Sequence, residues 1–297
     1  MWFPIQVASV ACWGLINVLD SLLVENYHKH PLVPMWNQSY WNVSVLLIAA
    51  FFFPMQTTWL WILLAGGVCA YVGDIVFFVA LRKLDTSVTN IAWGILAIFL
   101  AICGYFFFHE VWSSWQSLGV LLVLGGVTPL SLWHRRVGDP VALLLLPTLA
   151  LIYLPYYVIQ KAALLDGQSI TAVFVWPLLA REGTSFIVPL LHPRFRCMVT
   201  TAARESGVWF HAVNAAVIVF FVMATYLSVR AYAVGPISLI SVVGNVQPFF
   251  VLFFGWMLWK LLPRYASKEI LTAQSIVVKL LSFCIVFAGL ALIALPH

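Results

Sequence analysis

Long apolar stretches separated by short polar connections fill the chain almost from end to end. A helix that crosses the hydrocarbon core of a bilayer needs about 20 predominantly apolar residues. Runs of this length do not fit the short alternating strands of an outer-membrane barrel, so the pattern predicts an all-α integral membrane protein. Ten membrane-spanning helices are predicted: Trp2–Val24, Val33–Phe53, Trp59–Leu81, Ser87–Phe108, Trp115–Leu132, Val141–Ile159, Ile170–Leu191, Trp209–Val229, Pro236–Trp259 and Ala273–Leu295.

Composition supports this class, since 63% of the residues are hydrophobic, 8% are charged and the mean hydropathy is +1.01. A soluble domain of 297 residues could not bury so much apolar surface. The connections are too short to form a soluble domain. The longest, from about His192 to Gly207, is basic and is expected to lie along the membrane surface. The function must therefore lie among side chains inside the membrane, which favours transport.

The net charge of +5 is distributed in small groups between the predicted helices, where basic residues set topology and meet lipid headgroups. Nucleic-acid binding is therefore not expected. The even-numbered connections contain only Lys161 and Arg230, so the positive-inside rule predicts that both termini lie outside. The odd-numbered connections contain Lys29, Arg82, Lys83, Arg135, Arg136, Arg194, Arg196, Arg204, Lys260, Arg264 and Lys268.

Motifs of enzymes, metals and nucleotide cofactors are missing from the sequence, which contains no Walker A loop, HExxH or GxSxG. His109-Glu110 lacks the second histidine of a zinc-binding helix. The five cysteines include no CxxC pair and are interpreted as buried thiols. We therefore expect no enzymatic activity, cofactor or metal site.

The two halves of the chain align with each other. When Leu84–Val88 is placed over Val234–Ser238, the following helices align without gaps and end at Glu110 and Lys260. The alignment predicts two five-helix repeats, residues 1–138 and 139–297. Because five is odd, the second repeat enters the membrane inverted, and such repeats move about a site near the midplane.

Several tracts resemble the ten-helix drug/metabolite transporter superfamily in its EamA-like branch. The resemblance implies two inverted repeats around a central cavity, and export or exchange of small metabolites. The chain departs from the family at Asp20-Ser21, where a lysine commonly ends the first helix, whereas the corresponding position in the second half keeps Lys161. The similar tracts are Trp13-Gly14, Phe78–Val88, His109-Glu110, Arg230–Ser238, Gln247-Pro248 and Gly255.

Ionisable residues inside a membrane helix are candidates for function, because each costs about 2.5–3.5 kcal/mol at the helix centre. Asp74 is flanked by apolar residues on both sides and could bind an ammonium group or carry a proton. The alternative is a structural hydrogen bond between helices. Trp13, Asn17 and Asp20 recur at i, i+4 and i+7 and share one helix face, which fits a polar cavity wall.

Other charged candidates lie in the second half. Arg181 could clamp a carboxylate or phosphate. The alternative is that its helix ends near Leu179, so that both Arg181 and Glu182 reach the interface. His211 could relay protons or could simply begin its helix, and Lys279 could meet a substrate carboxylate or extend to the interface.

Amide and aromatic side chains complete the predicted site. Pro248 cannot donate a backbone hydrogen bond, so the nearby amides could bind a polar ligand or could join helices. Tryptophan and tyrosine inside the membrane could hold an ammonium group by cation–π contact. The predicted substrate site consists of Trp13, Asn17, Asp20, Asp74, Asn90, Trp93, Tyr153, Tyr157, Trp176, Arg181, Asn245 and Gln247, with Asp74 and His211 as proton-coupling candidates.

Together these features favour a secondary transporter of small polar or zwitterionic metabolites, such as amino acids, that works by alternating access with proton coupling. Two alternatives stay open: a carrier or flippase of lipid or lipid-linked headgroups, and a non-transporting membrane scaffold subunit. The expected location is the bacterial cytoplasmic membrane. The expected partners are a small-molecule substrate, a proton or other ion, and lipid, and a monomer is sufficient to enclose the site.

Overall fold

The computed structural model describes residues 2–26, 32–52, 56–83, 91–132, 143–261 and 273–294. Within these ranges the chain forms twelve α-helices and no strand. They are α1 (Trp2–Asn26), α2 (Leu32–Phe52), α3 (Leu60–Lys83), α4 (Ile91–Phe108), α5 (Ser114–Leu132), α6 (Leu145–Leu165), α7 (Ile170–Leu191), α8 (Pro193–Glu205), α9 (Val208–Val234), α10 (Ile237–Gly244), α11 (Gln247–Leu261) and α12 (Ala273–Ala294).

Seven helical segments of the described chain are long and apolar enough to cross a membrane, with α10 and α11 together forming one of them. The others are α1, α3, α4, α6, α7 and α9. The predicted class, an all-α integral membrane protein, is thus consistent with the structure. Ten spans and their inverted arrangement stay predictions, and the boundary proposed near residue 138 lies outside the described residues.

The predicted helix ends agree closely with the structure at α7 and differ most at α6. This helix continues to Leu165, so that Lys161 lies inside it and not in the connection. Arg230 likewise lies within α9, which extends to Val234. Lys161 can be held inside a helix because its ammonium group donates to the backbone carbonyls of Tyr232 (2.9 Å) and Gly235 (2.8 Å).

The basic segment after α7 forms an amphipathic helix, α8. Pro193 occupies its first turn, where a missing N–H costs nothing. Val199 is buried beneath it, whereas Arg194, Arg196 and Arg204 are exposed. Such a helix fits the expected position along a membrane surface.

Helices from both predicted halves pack together around three buried apolar clusters. Helix α1 packs against α9, α3 against α6 and α7, α4 against α6 and α10, and α5 against α12. Many large apolar side chains, including Phe51, Trp61 and Phe107, point outward and are more than two-thirds exposed. In a membrane protein this outer surface meets lipid.

The cysteines are only partly as predicted. All five thiols are unpaired, and Cys103 is buried. Cys197 and Cys284 are exposed, however, so their interpretation as buried thiols was wrong. Cys197 lies on the outer face of α8, and Cys284 lies among the outward-facing apolar residues Phe283 and Ile285 of α12.

Candidate functional site

A buried ion pair joins α3 and α7. The guanidinium of Arg181 contacts both carboxylate oxygens of Asp74, with Nε 2.8 Å from Oδ2 and Nη2 2.9 Å from Oδ1. The two side chains are only 17% and 11% exposed. Helix α7 continues beyond Arg181 to Leu191, so the interpretation that it ends near Leu179 was wrong.

Tyr153 on α6 completes this charged group by donating a hydrogen bond from its hydroxyl to Oδ1 of Asp74. The preceding residue on α3 is Gly73, where a β-carbon would overlap the ring of Tyr153. Gly67, two turns earlier, lets α3 approach the backbone of α7 at Pro177 just as closely. Two glycines on α3 therefore bring the three partners together.

Aromatic rings surround the ion pair. The guanidinium carbon of Arg181 lies 5.4 Å from the ring centre of Phe221 on α9. Phe221 makes an edge-to-face contact with Trp13 of α1, with ring centres 5.3 Å apart. On the other side, Tyr153 contacts Trp93 of α4 at 5.2 Å and stacks on Tyr157 at 6.3 Å. These rings present π faces on which a cation or a planar group can rest.

A polar cavity lies beside this group, where the ninth predicted span is broken between α10 and α11. Pro248 has no N–H, so it cannot complete the helical hydrogen bond to the carbonyl of Gly244. The amide of Asn245 donates to the carbonyl of Ser241 (3.1 Å). The cavity is lined by Asn17, Trp93, Gly244, Asn245, Gln247, Pro248 and Val251.

The cavity has a volume of about 30 Å³, which is enough to hold water. Gln247 spans part of it by donating to the backbone carbonyl of Trp13 at 3.4 Å. Trp93 belongs both to this cavity and to the aromatic group at Tyr153. The ion pair and the cavity are therefore neighbours.

The remaining predicted residues make other contacts. Asp20 accepts a hydrogen bond from Gln38 of α2 (2.8 Å). Trp176 packs against the buried cluster of α1, α2, α7 and α9. Nε2 of His211 lies 3.2 Å from the carbonyl oxygen of Ala203 on α8. Asn90 and the side chain of Lys279 lie outside the described residues.

A polar cluster between α2 and α7 was missed by the sequence analysis. The carboxylate of Glu182 accepts hydrogen bonds from Ser39 (2.9 Å) and from the amide of Asn42 (3.3 Å). The hydroxyl oxygens of Ser39 and Ser185 are 2.9 Å apart. The signal was available, because both pairs, 39 with 42 and 182 with 185, have the three-residue spacing of one helix face.

A second acid and base that were missed hold the junction between α9 and α10. Glu110 accepts from the backbone N–H groups of Ile237 (2.7 Å) and Ser238 (3.0 Å) at the start of α10. Lys161 donates to carbonyls at the end of α9. His109 adopts φ 53°, and the N–H of Glu110 bonds to the carbonyl of Gly104 (2.9 Å) at the end of α4.

The sequence is similar to those of membrane transporters. A model of the EamA-like transporter family matches residues 2–132. A protein of Chlamydia muridarum (strain MoPn / Nigg) named S-adenosylmethionine/S-adenosylhomocysteine transporter is 25% identical over 199 residues, which cover 63% of this chain and 61% of that protein. Its namesake in Chlamydia trachomatis serovar L2 is 23% identical and is covered over 59% of its length.

The chain thus spans about three-fifths of the length of the curated relatives it matches. A solved crystal structure shares the fold with a TM-score of 0.69 at 15% identity, covering 99% of this chain and 96% of the other.

Proposed function

We propose that this protein is a secondary transporter of small zwitterionic metabolites that works by alternating access, because a model of the EamA-like transporter family matches residues 2–132. We further propose that it lies in the bacterial cytoplasmic membrane, because the matched relatives come from bacteria. A single copy of the chain is sufficient to enclose the site.

The observation that supports this substrate class is the bidentate ion pair of Asp74 and Arg181. Each partner neutralises the other while the site is empty, so neither charge is left unpaired inside the membrane. An amino-acid group carries the same two charges. Its carboxylate fits the planar fork of Arg181, and its ammonium fits Asp74 with the hydroxyl oxygen of Tyr153. A zwitterion can therefore replace the ion pair between Asp74 and Arg181 by two ion pairs, one between each side chain and the substrate.

The adjacent aromatic and amide side chains suggest what the rest of the substrate molecule contains. Trp93 and Tyr157 offer flat faces beside the ion pair, and Asn17, Asn245 and Gln247 offer donors and acceptors in the cavity. S-adenosylmethionine, named for the relatives, combines an amino-acid group with a sulfonium cation and an adenine ring. The amino-acid group would bind the ion pair, the sulfonium would rest on the aromatic faces, and the adenine ring would bind the amides. This compound is therefore our first candidate.

The proposal is tested by counterflow in proteoliposomes with labelled amino acids, S-adenosylmethionine and S-adenosylhomocysteine. We expect uptake of a zwitterion that stops in the double variant Asp74→Asn/Arg181→Gln. This variant removes both charges of the ion pair together, so that neither is left without the other. Arg196→Gln, on the exposed face of α8, is the matched control. Full uptake by the double variant would refute the assigned site.

A second candidate, a carrier of anionic lipid headgroups, is favoured by the three exposed arginines of α8. Transfer of a labelled anionic lipid between leaflets, together with no counterflow of any zwitterion, would select it over the first.

A further inference from the structure

The cluster formed by Ser39, Asn42, Glu182 and Ser185 lies directly beside the ion pair. Nε of Arg181 is 2.8 Å from Asp74 but 3.9 Å from Oε1 of Glu182. The guanidinium is thus bonded through Nε and Nη2 to one carboxylate, while a second carboxylate lies just beyond hydrogen-bond distance. All four residues of the cluster are at most 6% exposed.

The formal charges of this group do not balance. Arg181 supplies one positive charge, whereas Asp74 and Glu182 supply two negative charges. Among the described residues, the groups facing Glu182 are Arg181 on its own helix, Asp74 on α3 and Tyr156 on α6. Helix α2 contributes only neutral donors, Ser39 and Asn42. An uncompensated negative charge inside a membrane is costly, so one positive charge is missing.

One buried oxygen of this cluster, Oδ1 of Asn42, has no donor in the part of the chain that the structure describes and could contact the missing positive charge. Asn42 points its amide nitrogen at Glu182, and its own Oδ1 is buried without a hydrogen-bond partner among the described residues. A buried acceptor without a donor is rare in folded proteins. The carboxylate and the two hydroxyl oxygens, with this oxygen on the same amide that contacts them, give the cluster the oxygen donors that a small hard cation prefers.

We propose that the cluster of Ser39, Asn42, Glu182 and Ser185 is the binding site of the coupling cation, a proton or a sodium ion held on the Glu182 carboxylate. The inference rests on the proposed transport function and adds the ion that drives it. With Glu182 neutralised, Arg181 stays with Asp74. When the cation leaves, the carboxylate regains its charge and competes for Arg181, and this competition links cation release to the substrate site.

Cation binding is first measured without any substrate. Infrared difference spectra of the reconstituted protein are recorded between acid and alkaline buffer, and between sodium and choline buffer. We expect a carboxylic acid band that appears at acid pH, or a carboxylate band that shifts with sodium. The band is lost in Glu182→Gln and kept in Glu205→Gln, a matched change at an exposed position of α8. The first band identifies a proton and the second a sodium ion.

The same variants are then tested for coupling. Proteoliposomes with an imposed pH or sodium gradient are compared with counterflow at no gradient, using S-adenosylmethionine and S-adenosylhomocysteine as probes. Glu182→Gln loses the response to the gradient, whereas Glu205→Gln keeps it. Circular dichroism and elution volume verify that both variants are folded.

Either of two results would overturn the inference: spectra of Glu182→Gln that match those of the wild type, or a carboxylic acid band that disappears in Asp74→Asn instead. Lack of transport of all probes by the wild type would count against the proposed function. The infrared measurement would still decide the cation site on its own.

Discussion

Two pairs of acid and base among the described residues are used in opposite ways. Asp74 and Arg181 bind each other side chain to side chain. Glu110 and Lys161 bind the backbone, one at the start of α10 and the other at the end of α9. The second pair neutralises the partial charges of two helix ends and leaves little for a ligand to exchange. A charge inside a membrane is therefore a good candidate for function when its partner can be replaced, and a poor one when its partner is the backbone.

Breaking the first pair on one side should have the largest effect. Asp74→Asn leaves the charged Arg181 without its bidentate partner and with only Glu182 nearby, at 3.9 Å. Removing one partner of a buried pair costs about 3–5 kcal/mol of stability. Transport should fall by about two orders of magnitude, because the substrate loses a charged partner and each 1.4 kcal/mol of lost binding energy lowers the affinity about tenfold. The double variant Asp74→Asn/Arg181→Gln should regain most of the thermal stability but none of the transport. Recovery of both together would mean that the ion pair is structural.

Breaking the contacts of the second pair should lower stability but leave transport nearly unchanged. Lys161→Met leaves two carbonyls without donors and should lower the free energy of unfolding by about 1–3 kcal/mol. Transport per folded molecule should change little, because no substrate contact is lost. Thermal unfolding in detergent and initial rates of counterflow measure the two quantities, with Lys260→Met at an exposed position as control. A selective loss of transport would place Lys161 in the substrate site.

Tyr153→Phe sharpens the comparison at the substrate site itself. The variant keeps the ring against Gly73 and Trp93 but removes the hydroxyl that binds Asp74. A hydrogen bond to a charged group is worth about 1.5–3 kcal/mol. Part of this loss is recovered by the Arg181 contacts, so we expect KM for the zwitterion to rise about tenfold. An unchanged KM would separate Tyr153 from substrate binding.

The smallest effect is expected in the cavity. Gln247→Leu removes the contact to the carbonyl of Trp13, and such contacts between membrane helices average about 0.6 kcal/mol. Stability should therefore change little, whereas discrimination between S-adenosylmethionine and a simple amino acid should weaken. Competition experiments with both compounds measure the ratio. If both compounds were affected equally, the cavity would have no role in selectivity.

The helices could be predicted from the sequence because an apolar run of sufficient length has few other solutions in a membrane. The end of α6 could not, since it depends on carbonyls of α9 that lie 71 and 74 positions from Lys161. The candidate site shows the same division. Asp74 and Arg181 were each identified by their charge, but their pairing across 107 positions depends on how α3 and α7 pack.

Other residues show the same difference between local signals and contacts that depend on helix packing. The break at Gln247-Pro248 was visible because proline acts locally. In contrast, the contact of Asp20 with Gln38 of α2 could not be predicted, because it depends on how α1 and α2 pack. Glu182 was judged by its neighbour Arg181 alone, although its partners Ser39 and Asn42 come from α2.

The self-compensating pair of Asp74 and Arg181 also has an electrical consequence. Moving one elementary charge through the membrane potential is worth about 2.3 kcal/mol per 100 mV. An internally neutral pair moves no net charge when the empty carrier reorients, and a zwitterion that replaces it adds none. For an amino acid, the voltage dependence of transport would then come from the coupling cation and the Glu182 carboxylate, whereas S-adenosylmethionine would add the charge of its sulfonium. The reversal potential of the transport current would give the number of charges moved in each cycle.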